Sequence, residues 1–329
     1  MKPRLSVIIT SYNIEKYIER AICSVVDQGF DGVEIILVDD GSTDRTVELA
    51  SNLLRSEPRV KIILQANAGP GAARNKGIRH ANGEYVIFLD GDDWFAPRAL
   101  HALRASAADG VDLVLSNRRR FWERSGLYTT KPMFTELKTG NVSELPEVMK
   151  IQAIHGKMFR RKFLNDRKIL FPEGMSSEDF VFSYSVYAAA ELATTIPDVT
   201  YIYRKRCDSN NQSLTQARLS EFNLLSRFKQ IEMTLGIVAA GELKRRFPKT
   251  NFLWLEYQAR LMRHVKLIPK ENDADRRLWA LEQLRVFLKK HRKEALANCR
   301  PATKRVYQLI LSKKYDEAMS AIQQANNTN

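Results

Sequence analysis

Five short apolar runs most constrain what this chain can become: residues 5–10, 33–38, 60–64, 85–89 and 111–115. They are rich in Val and Ile and almost free of polar interruptions, the pattern of strands covered on both faces. The intervals between them carry a helical period. Residues 14–26 repeat apolar side chains at Ile14, Ile18, Ala21, Ile22 and Val25. The stretch 43–54 opens at a cap residue, Ser42 or Thr43; 70–81 follows Gly69; 97–108 follows a cluster of aspartates. Strand–helix–strand units repeated in this way imply an α/β fold, with an open, largely parallel sheet and helices on both faces.

The pattern then changes twice. From residue 131 to 213 it is broken by Pro132, Gly140, Pro146, Pro172, Gly174 and Pro197, leaving a helix over 178–190 and a strand over 199–203. From 215 onward only helical periodicity remains, interrupted near Pro248, Pro269 and Pro301, with short helices over 304–311 and 316–324. The expected organisation is an α/β domain, 1–214, followed by a helical subdomain, 215–329. Charge separates the same two parts. Residues 215–329 hold 23 Lys and Arg against 11 Asp and Glu, an excess of 12 out of the whole chain's 14. Clusters fall at Lys244-Arg245-Arg246, Lys289-Lys290 and Arg292-Lys293. A solvated helical face is the commoner meaning of such clusters; attachment to an anionic membrane surface is the functional reading. No recognition motif accompanies the charge, so nucleic acid is not an expected partner.

Composition closes off other classes. At 44% hydrophobic over 329 residues the chain can bury a sizeable core and is not mostly disordered. It has no run of about 18 apolar residues to span a membrane. The apolar run at 5–9 is too short for a signal-peptide core and lacks a small-residue cleavage site. Cys23, Cys207 and Cys299 share no metal-ligand spacing, and their odd number fits a reduced, cytosolic compartment with all three as packing residues.

Three acidic sites carry chemistry. In Val38-Asp39-Asp40-Gly41-Ser42-Thr43-Asp44, two carboxylates end a buried strand, where open α/β sheets bind ligands. Turn and cap chemistry accounts for the same residues. In Phe88-Leu89-Asp90-Gly91-Asp92-Asp93-Trp94, three carboxylates crowd another strand end. Like charges so close raise one another's pKa, and a hard divalent cation, Mg²⁺ or Mn²⁺, is their natural partner. The third site, Ser176-Ser177-Glu178-Asp179, reads as a helix cap or as a general base at a helix start. Facing them in chemistry is the segment 67–77, Gly-rich and then basic at Arg74, which resembles a phosphate-facing helix start. It lacks the third glycine of a dinucleotide fingerprint, and neither a P-loop nor a Gly-x-Ser-x-Gly elbow occurs. His155, near the expected acceptor side, reads more readily as structural than as catalytic but remains a candidate, and Trp94 fits stacking on a sugar and packing in the core equally well.

In order and spacing, residues 4–214 resemble a family 2 glycosyltransferase with a GT-A fold, an open nucleotide-sugar-binding sheet flanked by helices. The matching pieces are 5–13, 38–44, 67–77, 88–93, Lys157-Met158-Phe159, Glu178-Asp179 and Tyr201-Ile202-Tyr203-Arg204. The resemblance implies that Thr10, Ser11 and Tyr12 hold the nucleotide, with Asp40 facing the uracil and Asp39 near it. Arg74 would line the donor site, and Arg204 would reach the diphosphate. Asp90-x-Asp92 would be the Asp-x-Asp motif: Asp92 the main ligand of Mn²⁺ or Mg²⁺, Asp90 on the ribose or the metal, and Asp93 near the sugar. Asp179 would be the catalytic base. No His occurs between Lys205 and Gln216, where related enzymes often carry one as a metal ligand.

The implied reaction moves a sugar from a nucleoside diphosphate, most often UDP, to a hydroxyl of a cell-surface glycan or lipid-linked precursor, with inversion. Its setting would be the cytoplasm, peripherally at the inner membrane face. Two rivals belong to other classes. One is an Asp-x-Asp phosphatase, although Trp94 stands where Thr or Val is needed. The other is a non-catalytic protein that binds an anionic polymer.

Overall fold

The computed structural model describes residues 4–54, 57–207 and 220–327. The chain divides into two compact units, Met1–Asn210 and Asn211–Asn329. The expected boundary at 214 lies outside the described residues.

The first unit is built on one ten-stranded sheet. Its strands are β1 (Leu5–Ser11), β2 (Val33–Asp39), β3 (Val60–Leu64), β4 (Tyr85–Asp90), β5 (Trp94–Phe95), β6 (Leu113–Trp122), β7 (Leu127–Thr130), β8 (Lys138–Asn141), β9 (Lys157–Arg160) and β10 (Leu192–Lys205). They run in the order β3-β2-β1-β4-β9-β6-β10-β5, with β7 added to β6 and β8 to β10. The first four strands are parallel, as the βαβ pattern requires. Beyond β4 the sheet becomes mixed. β9 is antiparallel to both β4 and β6, and β5 is antiparallel to β10. The expectation of a largely parallel sheet therefore holds only for the N-terminal half.

Helices α1 (Ile18–Val26), α2 (Thr46–Leu54), α3 (Pro70–His80), α4 (Ala99–Ala105), α5 (Arg161–Asp166) and α6 (Glu178–Ala189) flank the sheet. α1 buries Ile18, Ala21, Ile22 and Val25, four of the five residues whose spacing marks it as helical. Val7, Ile9, Ile35, Leu37, Ile87 and Leu89 pack against it in one core.

Register places the chemistry. Thr10 of β1 pairs with Asp90 of β4, and Ser11 pairs with Asp39 of β2. The carboxyl ends of three adjacent strands thus carry both acidic turns to one edge of the sheet.

The second unit is helical. It contains α7 (Glu221–Ala239), α8 (Glu242–Arg246), α9 (Phe252–Trp254), a π-helical segment Leu255–Leu261, α10 (Met262–Val265), α11 (Ala274–Lys290), α12 (Arg292–Ala297), α13 (Pro301–Leu311) and α14 (Tyr315–Asn327). Leu224, Ile231, Leu261, Leu284, Ile310 and Ile322 form its core. Part of its basic charge is compensated locally: Arg245 and Arg246 bind Glu242, and Lys290 binds Glu232 at 2.6 Å. No helix among the described residues is long and apolar enough to cross a membrane.

Among the described residues, Cys23, Cys207 and Cys299 form no disulfide. Cys23 and Cys299 are partly buried, but Cys207 is exposed, so it is not the packing residue expected from the sequence.

Candidate active site

The site grows from the start of α3. A Cβ at Gly71 would run into the Pro172 carbonyl, so only glycine lets α3 approach this closely. That approach carries Arg74, on the next turn, into a buried position between two carboxylates. Its Nη1 donates to Glu178 Oε1 at the start of α6, and its Nη2 donates to Asp90 Oδ1 at the end of β4, 2.8 Å away. Burial disfavours the Arg74 charge, but Asp90 and Glu178 outweigh it and hold the guanidinium protonated. The third acidic site and the second are therefore joined through one cation.

Asp90 is held on its other oxygen by His155, whose Nε2 lies 3.1 Å from Oδ2. Burial pushes the Asp90 carboxyl up, yet Arg74 and His155 together bring it well below the usual carboxylate range. The opposite ring nitrogen of His155, Nδ1, faces Arg118 Nη1 at 2.8 Å. A guanidinium only donates, so Nδ1 accepts and the Nε2 proton points at Asp90. Burial lowers the His155 pKa, which keeps the ring neutral. The ring stacks on Tyr201 and Tyr203, with centroids 4.8 and 5.1 Å apart. The sequence left His155 as a minor candidate near the acceptor side; the structure places it directly on the Asp-x-Asp turn. Its signal was its position just before Gly156-Lys157, at the start of a strand hidden in the punctuated region.

Asp93 is buried behind Asp90. Tyr201 Oη donates to its Oδ2 at 2.7 Å, and the Arg204 backbone N–H donates to its Oδ1 at 2.7 Å. Burial, with the charges of Asp92 and Asp90 beside it, pushes the Asp93 carboxyl well up. Asp92 faces a different partner, Arg206, whose Nε donates to Asp92 Oδ2 at 2.6 Å. The Arg204 guanidinium binds the Asp92 carbonyl (2.7 Å) and Glu123 (3.1 Å). Arg118, Glu123 and Arg206 were not singled out in the sequence, because a single charged residue within a strand or just past its end has no local signature.

Among the described residues, the one group placed to hold a metal ion is Asp90, Asp93 and His155, with ligand atoms within 4.8 Å of one another. The carboxylates suit a hard cation such as Mg²⁺ or Mn²⁺. His155 is less suited. A metal-bound histidine normally donates its other N–H to an acceptor, whereas here that nitrogen already accepts from Arg118. Asp92, expected as the main ligand, is not in this group; its carboxylate meets Arg206.

Asp179 sits in the first turn of α6, behind Ser177, whose φ of 64° is left-handed. Ser177 occupies the N-cap position without a side-chain capping bond. Among the described residues, no hydrogen bond or ion pair forms to the Asp179 carboxylate. Burial, then the Glu178 charge, raises its pKa to about 7, against the pull of Arg74 and Lys157. Lys157 is itself buried, donating to Ile151 O, Ser183 Oγ and Tyr187 Oη at 3.0, 3.1 and 2.6 Å. Asp90 is among the charges acting on Asp179, which places both carboxylates in one cluster. A carboxylate near neutral pKa with no internal partner can take a proton from an incoming hydroxyl.

The nucleotide residues implied by the resemblance line the neighbouring strand ends. Thr10 accepts the Gly91 N–H on its carbonyl at 2.9 Å, Ser11 Oγ donates to Asp39 Oδ2 at 2.8 Å, and Tyr12 is exposed. Asp39 also receives Ser42, through its N–H (2.8 Å) and its hydroxyl (2.6 Å). Asp40 accepts from Gln65 Nε2 (2.7 Å) and from the N–H groups of Ala68 and Gly69, both at 2.8 Å. Each carboxylate therefore already organises a turn. Trp94 is buried rather than open to a sugar, with the Arg20 guanidinium 3.6 Å over its ring.

Known proteins share the fold and part of the sequence. Residues 6–167 match the family model of Glycosyl transferase family 2. The chain is 33% identical over 228 residues to the uncharacterized glycosyltransferase EpsJ of Bacillus subtilis, covering 66% of this chain and 64% of EpsJ. It is 29% identical over 240 residues to the poly(ribitol-phosphate) beta-N-acetylglucosaminyltransferase TarS of Staphylococcus aureus, covering 70% of this chain and 40% of TarS. The matches thus span less than two thirds of these curated relatives. The crystal structure of S. aureus TarS 1-349 in complex with UDP-GlcNAc shares the fold, with a TM-score of 0.77 at 22% identity over 100% of this chain and 93% of that one. Residues 6–167, just under half of the chain, thus carry the pattern of glycosyl transferase family 2.

Proposed function

We propose that this protein is an inverting, metal-assisted sugar transferase that moves a sugar from a UDP-type donor to a hydroxyl of a cell-envelope polymer precursor. The observation that carries this reading is the Asp90–Arg74–Glu178 bridge with Asp179 beside it. It sets an uncommitted base of near-neutral pKa in the same cluster as the Asp-x-Asp turn. The UDP-GlcNAc complex of TarS and the polymer acceptor in its name support the substrate classes.

In this reading Thr10, Ser11, Tyr12, Asp39 and Asp40 border the nucleotide. Arg74 and Arg204 bear on the donor, and Asp93 lies near the sugar. Asp92 and Asp90 would hold Mn²⁺ or Mg²⁺, which when bound would offset charge gathering on the departing diphosphate. Asp179 receives the acceptor hydroxyl's proton as the oxygen attacks the anomeric carbon, and a single displacement inverts that centre. The setting is the cytoplasmic face of a membrane, with the exposed basic residues Lys244, Arg245, Lys289, Lys290, Arg292 and Lys293 toward anionic lipid.

The test is a screen of nucleotide sugars with Mn²⁺ for donor hydrolysis and for protection against heat. UDP-sugars should protect and be hydrolysed. Phosphate-monoester hydrolysis without either effect would overturn the assignment.

A further inference from the structure

The second half of β6 carries three consecutive arginines. Among the described residues, none of Arg118, Arg119 and Arg120 is paired with an acid, whereas Arg59, Arg104 and Arg160 of the same unit meet Glu57, Glu84 and Asp112. Strand alternation puts Arg118 and Arg120 on one face, about 7 Å apart along the chain, and Arg119 on the other. The face of Arg118 and Arg120 is continuous with the candidate site. Arg118 uses one N–H donor on His155 Nδ1, and His155 sits on Asp90. Across the parallel ladder, Tyr201 is the register partner of Arg118 and Tyr203 that of Arg120. Both tyrosine rings stack on His155. Arg118 lies 5.5 Å over the Tyr203 ring, and Arg120 lies 5.4 Å over the Trp122 ring. Trp122 is 40% exposed, and its Nε1–H donates to Thr129 Oγ1 of β7 at 3.0 Å. Guanidinium groups and aromatic rings therefore alternate from His155 outward along β6.

Such a face carries like charges close together and leaves a large aromatic ring in water. A ligand that brings oxyanions to the guanidinium forks and lays a sugar or polyol unit against the ring relieves both. The nucleotide is not that ligand. Its residues, Thr10 to Asp40, lie at the ends of β1 and β2, on the opposite side of β4 from β6 in the sheet order. We infer that the Arg118–Arg120–Trp122 face of β6 binds the acceptor, and that this acceptor is an anionic glycan chain. Its negative groups meet Arg118 and Arg120, and a neighbouring unit rests on Trp122. This rests on the proposed sugar transfer and narrows its acceptor to a polyanion.

The test is calorimetry of the full chain with a glycerol-phosphate oligomer, an oligogalacturonate and a neutral malto-oligosaccharide of matched length. The parent should bind an anionic oligomer at least about tenfold tighter than the neutral one, and salt should weaken it. The tighter of the two anionic oligomers identifies the charge as phosphate or carboxylate. Arg120→Ala and Trp122→Ala should each cost about tenfold in that affinity and Arg120→Lys less, with UDP affinity unchanged in all three. Arg79→Ala, which removes an exposed arginine from α3, should leave oligomer binding as it was. Arg120 is exposed, so Arg120→Ala carries the test if Trp122→Ala fails to fold. The oligomer should also speed UDP release from the donor found by the screen, with Arg120→Ala raising its KM and leaving kcat nearly unchanged. Equal binding of the neutral oligomer, unchanged affinity in Arg120→Ala or an equal loss in Arg79→Ala overturns the binding face. A bound oligomer that leaves UDP release unchanged overturns its role as acceptor. Failure of the parent to bind UDP overturns the donor class instead, while the dependence of oligomer binding on Arg120 is read without any donor.

Discussion

Arg74 and Asp90 come from different elements, the start of α3 and the end of β4, yet they meet at 2.8 Å, with Arg74 also bound to Glu178. Arg74 is therefore the tie between the Asp-x-Asp turn and the helix that carries Asp179. Removing it leaves two carboxylates in a poorly hydrated place without their counter-charge. Arg74→Ala should lose about 3–5 kcal/mol of stability, as buried pairs do when one partner is deleted. Urea unfolding would measure this, and Arg74→Lys should recover only part of it, having no fork to span both acids.

Asp179→Asn should lower turnover roughly 10²–10⁴-fold while leaving UDP affinity nearly unchanged. Steady-state kinetics beside calorimetry separate the two quantities; equal losses in both would contradict a base role.

The pH profile follows from the raised pKa of Asp179. A base works only when unprotonated, so log kcat/KM should climb with a slope of one as pH rises to about 7 and then level off. Glu178→Gln should move that inflection to lower pH. It removes the charge that raises Asp179 and leaves Arg74 less compensated, and both effects favour the ionised form.

Asp92→Ala should abolish the part of UDP affinity that depends on Mn²⁺, as calorimetry with and without the metal would show. Asp40→Ala acts otherwise. It strips the acceptor from the N–H groups of Ala68 and Gly69, so it should cost about 1–3 kcal/mol of stability in urea unfolding and weaken UDP binding as the turn before α3 loosens.

The basic helices of the second unit give a test of location. The full chain should float with vesicles containing anionic lipid at low salt and be released as ionic strength rises. Equal flotation with neutral vesicles would count against an electrostatic attachment.

The regular half of the fold was legible because its signals are local. β3 runs over the same residues as its apolar stretch, and α3 and α6 begin where Gly69-Pro70 and Ser177-Glu178 place them. Strands β7, β8 and β9 were not legible. They are four residues each, too short for an alternating pattern to stand out among prolines and glycines. β10 begins at Leu192, well before the expected 199, because register shifts between Thr195 and Val199 break the periodicity. Within the site, aspartates in motifs announced themselves. What they pair with, His155 on Asp90 and Arg206 on Asp92, could be found only once distant segments were brought side by side.

Each residue of this charged cluster, from Asp39 to Arg206, falls before the end of the first unit at Asn210. The residues named in this cluster are therefore encoded in one uninterrupted stretch of chain, so a change confined to positions after 210 replaces none of them.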